Sequence, residues 1–337
     1  MNRPLDVCVI GCGSMGRNHV RVLSDLPGVE LCAIVDASQQ ATAHLAHRYR
    51  VPAFPSLEAM LEVMRPDAAV VAVPTVEHLA VAGRLFDQGI HVLVEKPIAG
   101  SVEEGRRLIE LARAAHVVLF VGHIERFNPA VLELRRRLSD GELGRVLHVE
   151  ARRQGPFPAR IQDVGVIVDL AVHDLDLVRF VTGSEVVRVY AETTQRLHHA
   201  HEDMVRATVR LADGVVGSLA IDWLTPTKLR ELTVTGERGM FQVNLLTQDL
   251  IWFENSAAEE ERDDEIALLR GVQEGRMIRH VVRKREPLVA ELEAFIARIN
   301  DRAAPAVSGE DGLAALTVAE ALIRSSRSGE VIRLGAR

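Results

Sequence analysis

This chain of 337 residues contains few lysines and few cysteines. It has no long apolar run and no excess of basic charge. The net charge is −7, which does not favour nucleic acid or an acidic membrane as a partner, since both attract basic surfaces. No apolar run approaches the ~18 residues that span a bilayer. The N-terminus lacks the apolar stretch and small-residue cleavage site of a signal peptide. We therefore expect a cytoplasmic protein that binds neither nucleic acid nor membrane.

Only three cysteines are present, Cys8, Cys12 and Cys32, all within the first tenth of the chain. Their number is odd, no C-x-x-C pair occurs and the expected compartment is reducing, so we expect no structural disulfide. Cys8 and Cys32 fall in apolar, strand-like runs, where a thiol packs as a small hydrophobic group.

Lysine is equally rare, because only three of the 40 basic residues are lysines: Lys96, Lys228 and Lys284. A coding bias towards arginine is the simplest explanation. Against this background a lysine marks a position where arginine could not serve, since an ammonium can release its proton and a guanidinium in a protein cannot.

The first 122 residues alternate short apolar runs with amphipathic segments. Five runs rich in Val, Ile and Ala predict strands, at about Leu5–Ile10, Val29–Val35, Ala68–Val73, His91–Val94 and Val117–Val121. Helical patterns lie between them, at about Ser14–Leu26, Gln39–His47, Val76–Asp87 and Val102–Ala114. This alternation predicts an α/β domain over residues 1–122, with a parallel, doubly wound sheet covered on both faces.

The pattern changes after Gly122. Helices are predicted after Asn128-Pro129 and around Asp169–Val181, and four runs then alternate with period two, at Val186–Thr193, Met204–Leu211, Val215–Asp222 and Leu229–Gly236. Such runs, bounded by turn residues, predict a large, mainly antiparallel sheet with one open face. We expect an α+β domain over residues 123–286, in which the acidic run Glu259–Glu265 is a solvated loop or helix start. Two further helices are predicted at about Pro287–Asn300 and Gly309–Arg327.

The first predicted strand runs directly into a G-x-G-x-x-G turn at the start of a helix. Its glycines permit close approach of the backbone to a pyrophosphate, and the helix N-terminus favours the phosphates. Asp36 closes the second strand, where a carboxylate can bond both ribose hydroxyls and would repel a 2′-phosphate. The pattern predicts a Rossmann domain that binds NAD rather than NADP, through Gly11, Gly13, Ser14, Met15, Gly16 and Asp36. A merely tight turn, with Asp36 capping the next helix, is the structural alternative.

The predicted strand at 91–94 leads into an E-K-P triplet, Glu95, Lys96 and Pro97, at the carboxyl edge of the sheet. Ligands of such sheets bind outside this edge, and proline ends the strand. Lys96 can therefore project towards the nicotinamide of a bound cofactor. The alternative is an edge lysine that lies beside Glu95.

Asp169 and His173 are four residues apart and would share one face of a predicted helix. A histidine can accept an alcohol proton near neutral pH, and a carboxylate can orient the ring and stabilise its charge. The alternative places Asp169 near the positive end of the helix with His173 packed beneath it. From these residues alone, the two interpretations are equally supported.

Together, G-C-G-S-M-G, E-K-P and the later D-x-x-x-H resemble the Gfo/Idh/MocA oxidoreductase family over essentially the whole chain. The resemblance implies that the open sheet of the α+β domain forms homo-oligomers, dimers or tetramers, and that the tail at about 287–337 packs on the Rossmann domain. It implies that His173 is the acid/base, supported by Lys96 and Asp169. The segment V-P-T-V-E-H at 73–78 resembles the family loop that contacts the cofactor, so the implied cofactor contacts also include Pro74, Thr75, His78, Glu95 and Lys96.

Two longer stretches, at 121–130 and 152–176, resemble the UDP-N-acetylglucosamine 3-dehydrogenases and their UDP-sugar relatives. This implies oxidation of a UDP-sugar at C3 with NAD, giving a 3-keto product that a PLP-dependent aminotransferase uses in related systems, and a place in lipid A biosynthesis. Candidate donors for the diphosphate and sugar hydroxyls are Arg126, Asn128, Gln154 and Arg160. The alternatives are surface ion pairs for Arg126 and Arg160, and a helix cap for Asn128.

Other functions remain open. An inositol or free-sugar dehydrogenase of the same family would not need the diphosphate-binding arginines. A non-catalytic NAD-binding regulator would not need Lys96, Asp169 or His173, and their presence argues against it. A metal site at His198, His199 and His201 is not expected, since adjacent histidines on alternating faces cannot easily meet one ion. We expect these histidines to be solvated.

Overall fold

The computed structural model describes residues 3–158, 164–256, 274–301 and 307–335. The chain forms two compact units, described separately below: Met1–Phe127 with Glu286–Thr317, and Asn128–Arg285 with Val318–Arg337. Arg160 and the acidic run at 259–265 lie outside the described residues. In the part of the chain that is described, none of the helices has both the length and the apolar character needed to cross a bilayer.

The first unit is built on a six-stranded parallel sheet. Its strands are β1 (Leu5–Ile10), β2 (Val29–Val35), β3 (Ala53–Phe54), β4 (Ala68–Val71), β5 (His91–Glu95) and β6 (Leu119–Gly122). Helices connect them: α1 (Ser14–Leu23), α2 (Gln39–Tyr49), α3 (Leu57–Leu61), α4 (His78–Phe86) and α5 (Val102–Ala114), with short 3-10 helices at Thr75–Glu77 and Ile124–Phe127. The spatial order β3-β2-β1-β4-β5-β6 is that of a dinucleotide-binding fold, and it confirms the predicted Rossmann domain.

The central strands of this sheet are buried along nearly their whole length. Every residue of β4 is buried, as are four of the five residues of β5. Such strands contact helices on both faces, which explains why their sequences are continuously apolar rather than alternating. The carboxyl ends of β1, β4 and β5 lie side by side, next to the crossover between β1 and β4 where cofactors bind in this fold.

The second unit holds a nine-stranded mixed sheet. Its helical segments are α6 (Pro129–Ser139) and α7 (Val172–Thr182), the latter preceded by a π-helical turn at Ile167–Ala171. Eight strands come from one stretch of chain: β7 (Val146–Pro156), β8 (Val186–Thr194), β9 (Met204–Leu211), β10 (Val216–Asp222), β11 (Leu224–Gly236), β12 (Gly239–Asn244), β13 (Asp249–Asn255) and β14 (Glu274–His280). All neighbours are antiparallel except β7 and β10, so the predicted, mainly antiparallel sheet is confirmed.

The tail is shared between the two units. Helix α8 (Pro287–Asp301) packs against α1 and the 3-10 helix at Ile124–Phe127. Helix α9 (Gly309–Ser328) contributes residues to both units, and β15 (Ile332–Arg333) pairs with β8 at the edge of the nine-stranded sheet. The expectation that the whole of 287–337 lies on the Rossmann domain therefore needs correction. Residues 318–337 group with the second unit, because β15 extends its sheet and Ser325 accepts a hydrogen bond from the Ala191 amide at 3.1 Å.

Candidate active site

The glycine turn after β1 is shaped by contacts with the next strands. Gly11 has φ +89°, and a Cβ there would lie 2.5 Å from the Ala72 carbonyl oxygen. A Cβ on Gly16 would lie 1.8 Å from the Gly11 oxygen. Both positions therefore require glycine for packing within the chain. Gly13 is different, because a Cβ there would meet nothing within 4 Å, which leaves open space beside the turn.

The N-terminus of α1 faces this turn and fits a pyrophosphate. Gly13 is its N-cap, so no side chain caps the first amides, and no acidic residue lies in the first turn. Ser14 is exposed and Met15 is half-buried. Uncapped amides together with the helix dipole form an anion-binding site, and the small N-cap lets a phosphate approach the backbone.

Asp36 holds its carboxylate next to the same turn. One oxygen accepts a hydrogen bond from the Cys12 amide at 2.7 Å, and the other accepts one from the Ser38 amide at 2.8 Å. The carboxylate thus both braces the turn and bonds the chain entering α2, so the helix-cap alternative contributes as well. Its negative charge beside the turn still disfavours a 2′-phosphate. A cleft of about 330 Å³ adjoins it, lined by Arg17, Ser38, Gln40, Ala41, His44 and Leu45.

Lys96 follows the last residue of β5, and a buried pair lies beneath it. The Lys96 amide donates to Glu95 Oε2 at 3.3 Å, while Glu95 Oε1 lies 2.7 Å from Nε2 of His19 on α1. Burial raises the pKa of Glu95, but the hydrogen bond and charge of His19 outweigh it, so the pKa lies below its ordinary value. Because both carboxylate oxygens are engaged inside the unit, Glu95 supports Lys96. This corrects the expectation that Glu95 contacts the cofactor.

His78 needs a similar correction. Its ring is buried, with Nδ1 3.0 Å from the Pro97 oxygen and Nε2 3.1 Å from the Val73 oxygen. Burial lowers the pKa of His78 although both carbonyl oxygens favour the protonated ring. The ring is only 1% exposed and lies between these two carbonyl oxygens, so it joins the loop after β4 to the loop after β5 and is not presented to a cofactor. Pro74 and Thr75 lie in that first loop, exposed and half-buried respectively.

Glu291 on α8 is a buried acid that the sequence did not reveal. It has no solvent exposure, and neither carboxylate oxygen has a hydrogen-bond partner among the residues that the structure describes. Burial, with the negative charge of Glu95 as a second cause, raises the pKa of Glu291 well above its ordinary value. The raised pKa of Glu291 and the lowered pKa of Glu95 together favour a proton on Glu291 and the negative charge on Glu95.

In the second unit, Asp169 and His173 lie where the π-helical turn becomes α7. Asp169 belongs to the turn, His173 is the second residue of α7, and both are partly exposed. Glu202 secures the start of the turn, because its Oε1 accepts a hydrogen bond from the Ile167 amide at 3.2 Å. Gly165 is required there, since a Cβ would lie 2.1 Å from that same oxygen. π-helical turns of this kind occur frequently at functional sites.

A buried ion pair fixes α7 next to His173. Arg153 Nε on β7 donates to Asp174 Oδ2 at 2.7 Å, and each side chain is only 1% exposed. An isolated charge at this depth would be strongly unfavourable, so each group depends on the other.

Two of the expected substrate donors have structural roles instead. Arg126 is buried and forms an ion pair with Asp311 at 3.0 Å. Asn128 is 1% exposed and caps α6: its Oδ1 accepts from the Ala130 amide at 3.1 Å, and its Nδ2 donates to the Leu245 oxygen at 3.0 Å. These contacts correct both assignments, because the polar groups are already engaged within their own units.

Gln154 keeps its place as a candidate, although its amide is partly engaged. Its Nε2 donates to Asp222 Oδ2 at 2.7 Å, and the same oxygen accepts from Arg206 at 2.8 Å. Burial raises the pKa of Asp222, but the hydrogen bonds from Thr225, Arg206 and Gln154 bring it below its ordinary value.

His198 is not solvated, contrary to expectation. It is 7% exposed, and its Nδ1 accepts hydrogen bonds from the amides of Ala200 at 3.1 Å and His201 at 2.9 Å. The ring stacks on Trp223, which explains its burial. Across the described ranges, no group of three or more His, Cys, Asp or Glu is arranged to hold a metal ion.

Comparison with known proteins agrees with this architecture. Residues 5–123 match the family model described as an oxidoreductase family with an NAD-binding Rossmann fold, and residues 131–242 match the GFO/IDH/MocA C-terminal domain. The UDP-N-acetylglucosamine 3-dehydrogenase of Acidithiobacillus ferrooxidans is 32% identical, covering 86% of this chain and 87% of that one. This chain belongs to the Gfo/Idh/MocA oxidoreductase family.

Solved structures of the family superpose over almost the whole chain. The Acidithiobacillus ferrooxidans enzyme does so with a TM-score of 0.85 at 30% identity, covering 97% of this chain and 99% of that one. The WlbA dehydrogenase of Bordetella pertussis, solved with NADH and UDP-GlcNAcA, gives 0.81 at 25% identity, covering 99% and 100%. An inositol 2-dehydrogenase of Rhizobium meliloti is also similar in sequence, 28% identical over 94% of this chain and 95% of that one. The protein is thus an NAD-binding dehydrogenase of this family, and the glycine turn, α1 and Asp36 are the residues that fit NAD.

Replacing Asp36 by asparagine tests how this family member selects NAD. The substitution keeps a hydrogen-bond acceptor for the Cys12 amide and removes the charge. We expect the affinity for NAD to fall about 10-fold, the equivalent of one charge-assisted hydrogen bond. The preference for NAD over NADP should fall about 100-fold, since a like charge no longer faces the 2′-phosphate. Calorimetric titration with both cofactors measures the two constants; an unchanged ratio, or the same change in exposed Asp25→Asn, would contradict the assignment.

Glu291→Gln tests the buried proton through the pH dependence of stability. A carboxyl whose folded pKa is raised binds a proton on folding, so its contribution to stability is fully present below the unfolded pKa and is lost as pH rises towards the folded pKa. The loss is about 1.4 kcal/mol per pH unit in that window. The amide cannot titrate, so the Tm of the variant relative to wild type should rise by several degrees between pH 5 and 8, given ~2–4 °C per kcal/mol. The control is the exposed Glu30→Gln; a Tm difference that does not change with pH would refute the assignment.

The sequence did not point to His19 and Glu291 of the first unit or to Glu202 of the second. His19 lies three residues after Gly16, on the buried face of α1, and that position was the available signal. Glu202 and Glu291 act on elements far away in sequence, so no local pattern points to them.

Proposed function

We propose that this protein oxidises the C3 hydroxyl of UDP-N-acetylglucosamine, with NAD as the hydride acceptor. The observation that carries the proposal is the similarity to the Acidithiobacillus ferrooxidans enzyme, at 30% identity over 97% of the chain. The chemistry-bearing residues Lys96, Asp169 and His173 stand in this chain at the family's motif positions.

The proposed roles follow from the chemistry of each side chain. NAD, when bound, accepts the hydride from C3. His173 takes the proton of the C3 hydroxyl, and Asp169 orients the ring and stabilises the imidazolium. Lys96 donates a hydrogen bond to the same oxygen and stabilises the negative charge that develops on it. One hydride and one proton leave the alcohol, which balances its oxidation to a ketone.

The position of Lys96 supports its part of this proposal. It follows β5 at the carboxyl edge of the sheet, in the same unit as the NAD-binding turn. Glu95 and His19 anchor the backbone beneath it, which restricts the directions available to the side chain. Asp169 and His173 belong to the second unit, and their meeting with Lys96 around one hydroxyl is part of the proposal.

Oxidation of an inositol is the second candidate, favoured by the 28% identity to the Rhizobium meliloti enzyme over 94% of the chain. The burial of Arg126 and Asn128 strengthens this candidate, because it removes two of the expected diphosphate donors. Gln154 and Arg160 remain as proposed donors to the sugar nucleotide.

The deciding experiment follows the hydrogen that is transferred. UDP-N-acetylglucosamine, N-acetylglucosamine and myo-inositol are each incubated with the enzyme and NAD, and NADH is measured by absorbance. UDP-N-acetylglucosamine deuterated at C3, or at C4, is then used in parallel. The proposal expects turnover of the nucleotide sugar alone, and deuterium in the reduced cofactor only from the C3 label. Turnover of myo-inositol instead, or transfer of the C4 label, would overturn it.

We further propose that a PLP-dependent aminotransferase consumes the 3-keto product, and that the protein is a homo-oligomer. A ketone next to an acetamido group is a substrate for transamination. The outward face of the nine-stranded sheet is the surface proposed for association. Sedimentation of the purified protein tests the oligomer, and NADH formation with and without an added aminotransferase tests the coupling.

A further inference from the structure

Three arginines form a row across one edge of the nine-stranded sheet. In the strand order β9-β8-β15, Arg210 pairs directly with Arg188, and Arg188 pairs directly with Arg333. Directly paired residues of antiparallel strands point to the same face, with Cβ atoms about 4.5–5.5 Å apart. Three like charges in such a row repel one another, so the arrangement costs stability unless something else compensates it.

Among the residues that the structure describes, no carboxylate pairs with this row. Within the described part of the chain, none of the three guanidinium groups forms an ion pair; the one hydrogen bond they make is from Arg210 Nη1 to the Gly214 carbonyl oxygen, at 2.7 Å. The row lies at one edge of the outward face that is proposed above for association. Elsewhere on this face, the arginines are matched. Arg206 lies 2.8 Å from Asp222, and Arg152 lies 3.1 Å from Glu231. The unmatched charge is therefore a local feature of this edge and not a property of the whole face.

The row also lines a cleft. The volume of this cleft is about 430 Å³. The residues that line it are Val187, Arg188, Arg210, Arg333 and Leu334. The size is within the range of small-molecule sites, about 300–1,000 Å³. Guanidinium groups present planar pairs of donors that match phosphate oxygens, and a site with three of them suits more than one negative charge.

We propose that this cleft binds a small molecule that carries phosphate groups, with Arg188 at the centre of the site. A diphosphate-sized anion would neutralise the row and remove the repulsion between neighbouring strands. The net charge of −7 makes a longer nucleic-acid backbone the less suitable polyanion. The proposal does not depend on the substrate proposed above, because none of these arginines belongs to the proposed catalytic or substrate-binding residues.

The test compares stability with and without an anion. Pyrophosphate and inorganic phosphate are the probes, sodium chloride at equal ionic strength is the reference, and saturating NAD keeps the glycine turn occupied. Arg188→Gln is the variant. Arg152→Gln, on the same face and in an ion pair, is the matched control. Tm and calorimetric titration are measured for each protein.

The proposal predicts that Arg188→Gln raises the Tm without phosphate and weakens the binding of pyrophosphate. Without phosphate, its Tm should exceed that of wild type by about 1–3 °C, since the repulsion is relieved. With pyrophosphate, wild type and Arg152→Gln should gain several degrees with one site per chain, while Arg188→Gln should bind at least about 10-fold more weakly. Equal pyrophosphate binding by Arg188→Gln would overturn the proposal. So would dissociation of an oligomer by Arg188→Gln without any effect of phosphate, which would assign the row to an interface between copies.

Discussion

Lys96→Met is expected to lower kcat by about 10²–10⁴-fold, the range observed when a group that handles the reacting proton or oxygen is removed. Methionine keeps the length and packing of the lysine stem and removes only the ammonium. Binding of NAD should change by no more than a few-fold, because the residues that fit the pyrophosphate belong to the glycine turn and α1 and do not include Lys96. Turnover is followed by NADH absorbance, and the NAD constant by calorimetric titration.

The controls separate the ammonium from charge in general. Lys284→Met removes a lysine that lies 3.6 Å from Asp249 on the exposed surface, and it should leave both constants unchanged. Lys96→Arg keeps a positive charge but changes its shape and its ability to release a proton. If Lys96→Arg turns over at the wild-type rate, the role of Lys96 is limited to its positive charge. Near-wild-type turnover of Lys96→Met would exclude it from the mechanism, and a parallel loss of NAD binding would indicate damage to the Rossmann domain.

The first unit could be predicted almost completely from local patterns. Neighbouring residues alone are enough to identify the apolar runs of β1, β2 and β4, the glycine turn and the position of Asp36. The exceptions are β3 (Ala53–Phe54) and α3 (Leu57–Leu61), which are two and five residues long and too short to show a periodicity. Lys96 and Asp36 could be predicted as site residues for the same reason: strand ends and turns are local features, and this fold binds its cofactor at them.

Strand β7 could not be predicted from local sequence although it is one of the longest strands. Its inward positions are Val149, Ala151, Arg153 and Gly155, so the alternation of apolar residues breaks at a buried arginine. Asp174 supplies an opposite charge to that arginine, and no local pattern links the two. The same limit applies to Glu291, whose unusual pKa comes from burial by distant elements. Residues such as Arg126 and Asn128 were misassigned because a capping or paired side chain has the same sequence signature as a binding one.

The buried pair of Arg153 and Asp174 should therefore be the most sensitive single contact of the second unit. Asp174→Asn removes a carboxylate that bonds the Arg153 guanidinium at a depth where water cannot replace it. We expect the variant to lose about 3–5 kcal/mol of unfolding free energy, a decrease of about 10 °C in Tm. Chemical unfolding followed by far-UV circular dichroism measures it. Arg136→Met, which breaks an exposed ion pair on α6, should cost no more than about 1 kcal/mol.

A double-mutant cycle shows whether the cost comes from an unpaired charge or from lost packing. Arg153→Met alone should be as damaging as Asp174→Asn, because it removes the guanidinium that bonds the buried Asp174 carboxylate. The double variant Arg153→Met with Asp174→Leu removes both charges and fills the space, and it should recover most of the lost stability, since apolar replacements of buried pairs are often neutral. Additive losses would instead mean that each side chain contributes independently. Because Asp174 neighbours His173 on α7, recovery of stability without recovery of kcat would further indicate that the pair positions the proposed acid/base as well as the helix.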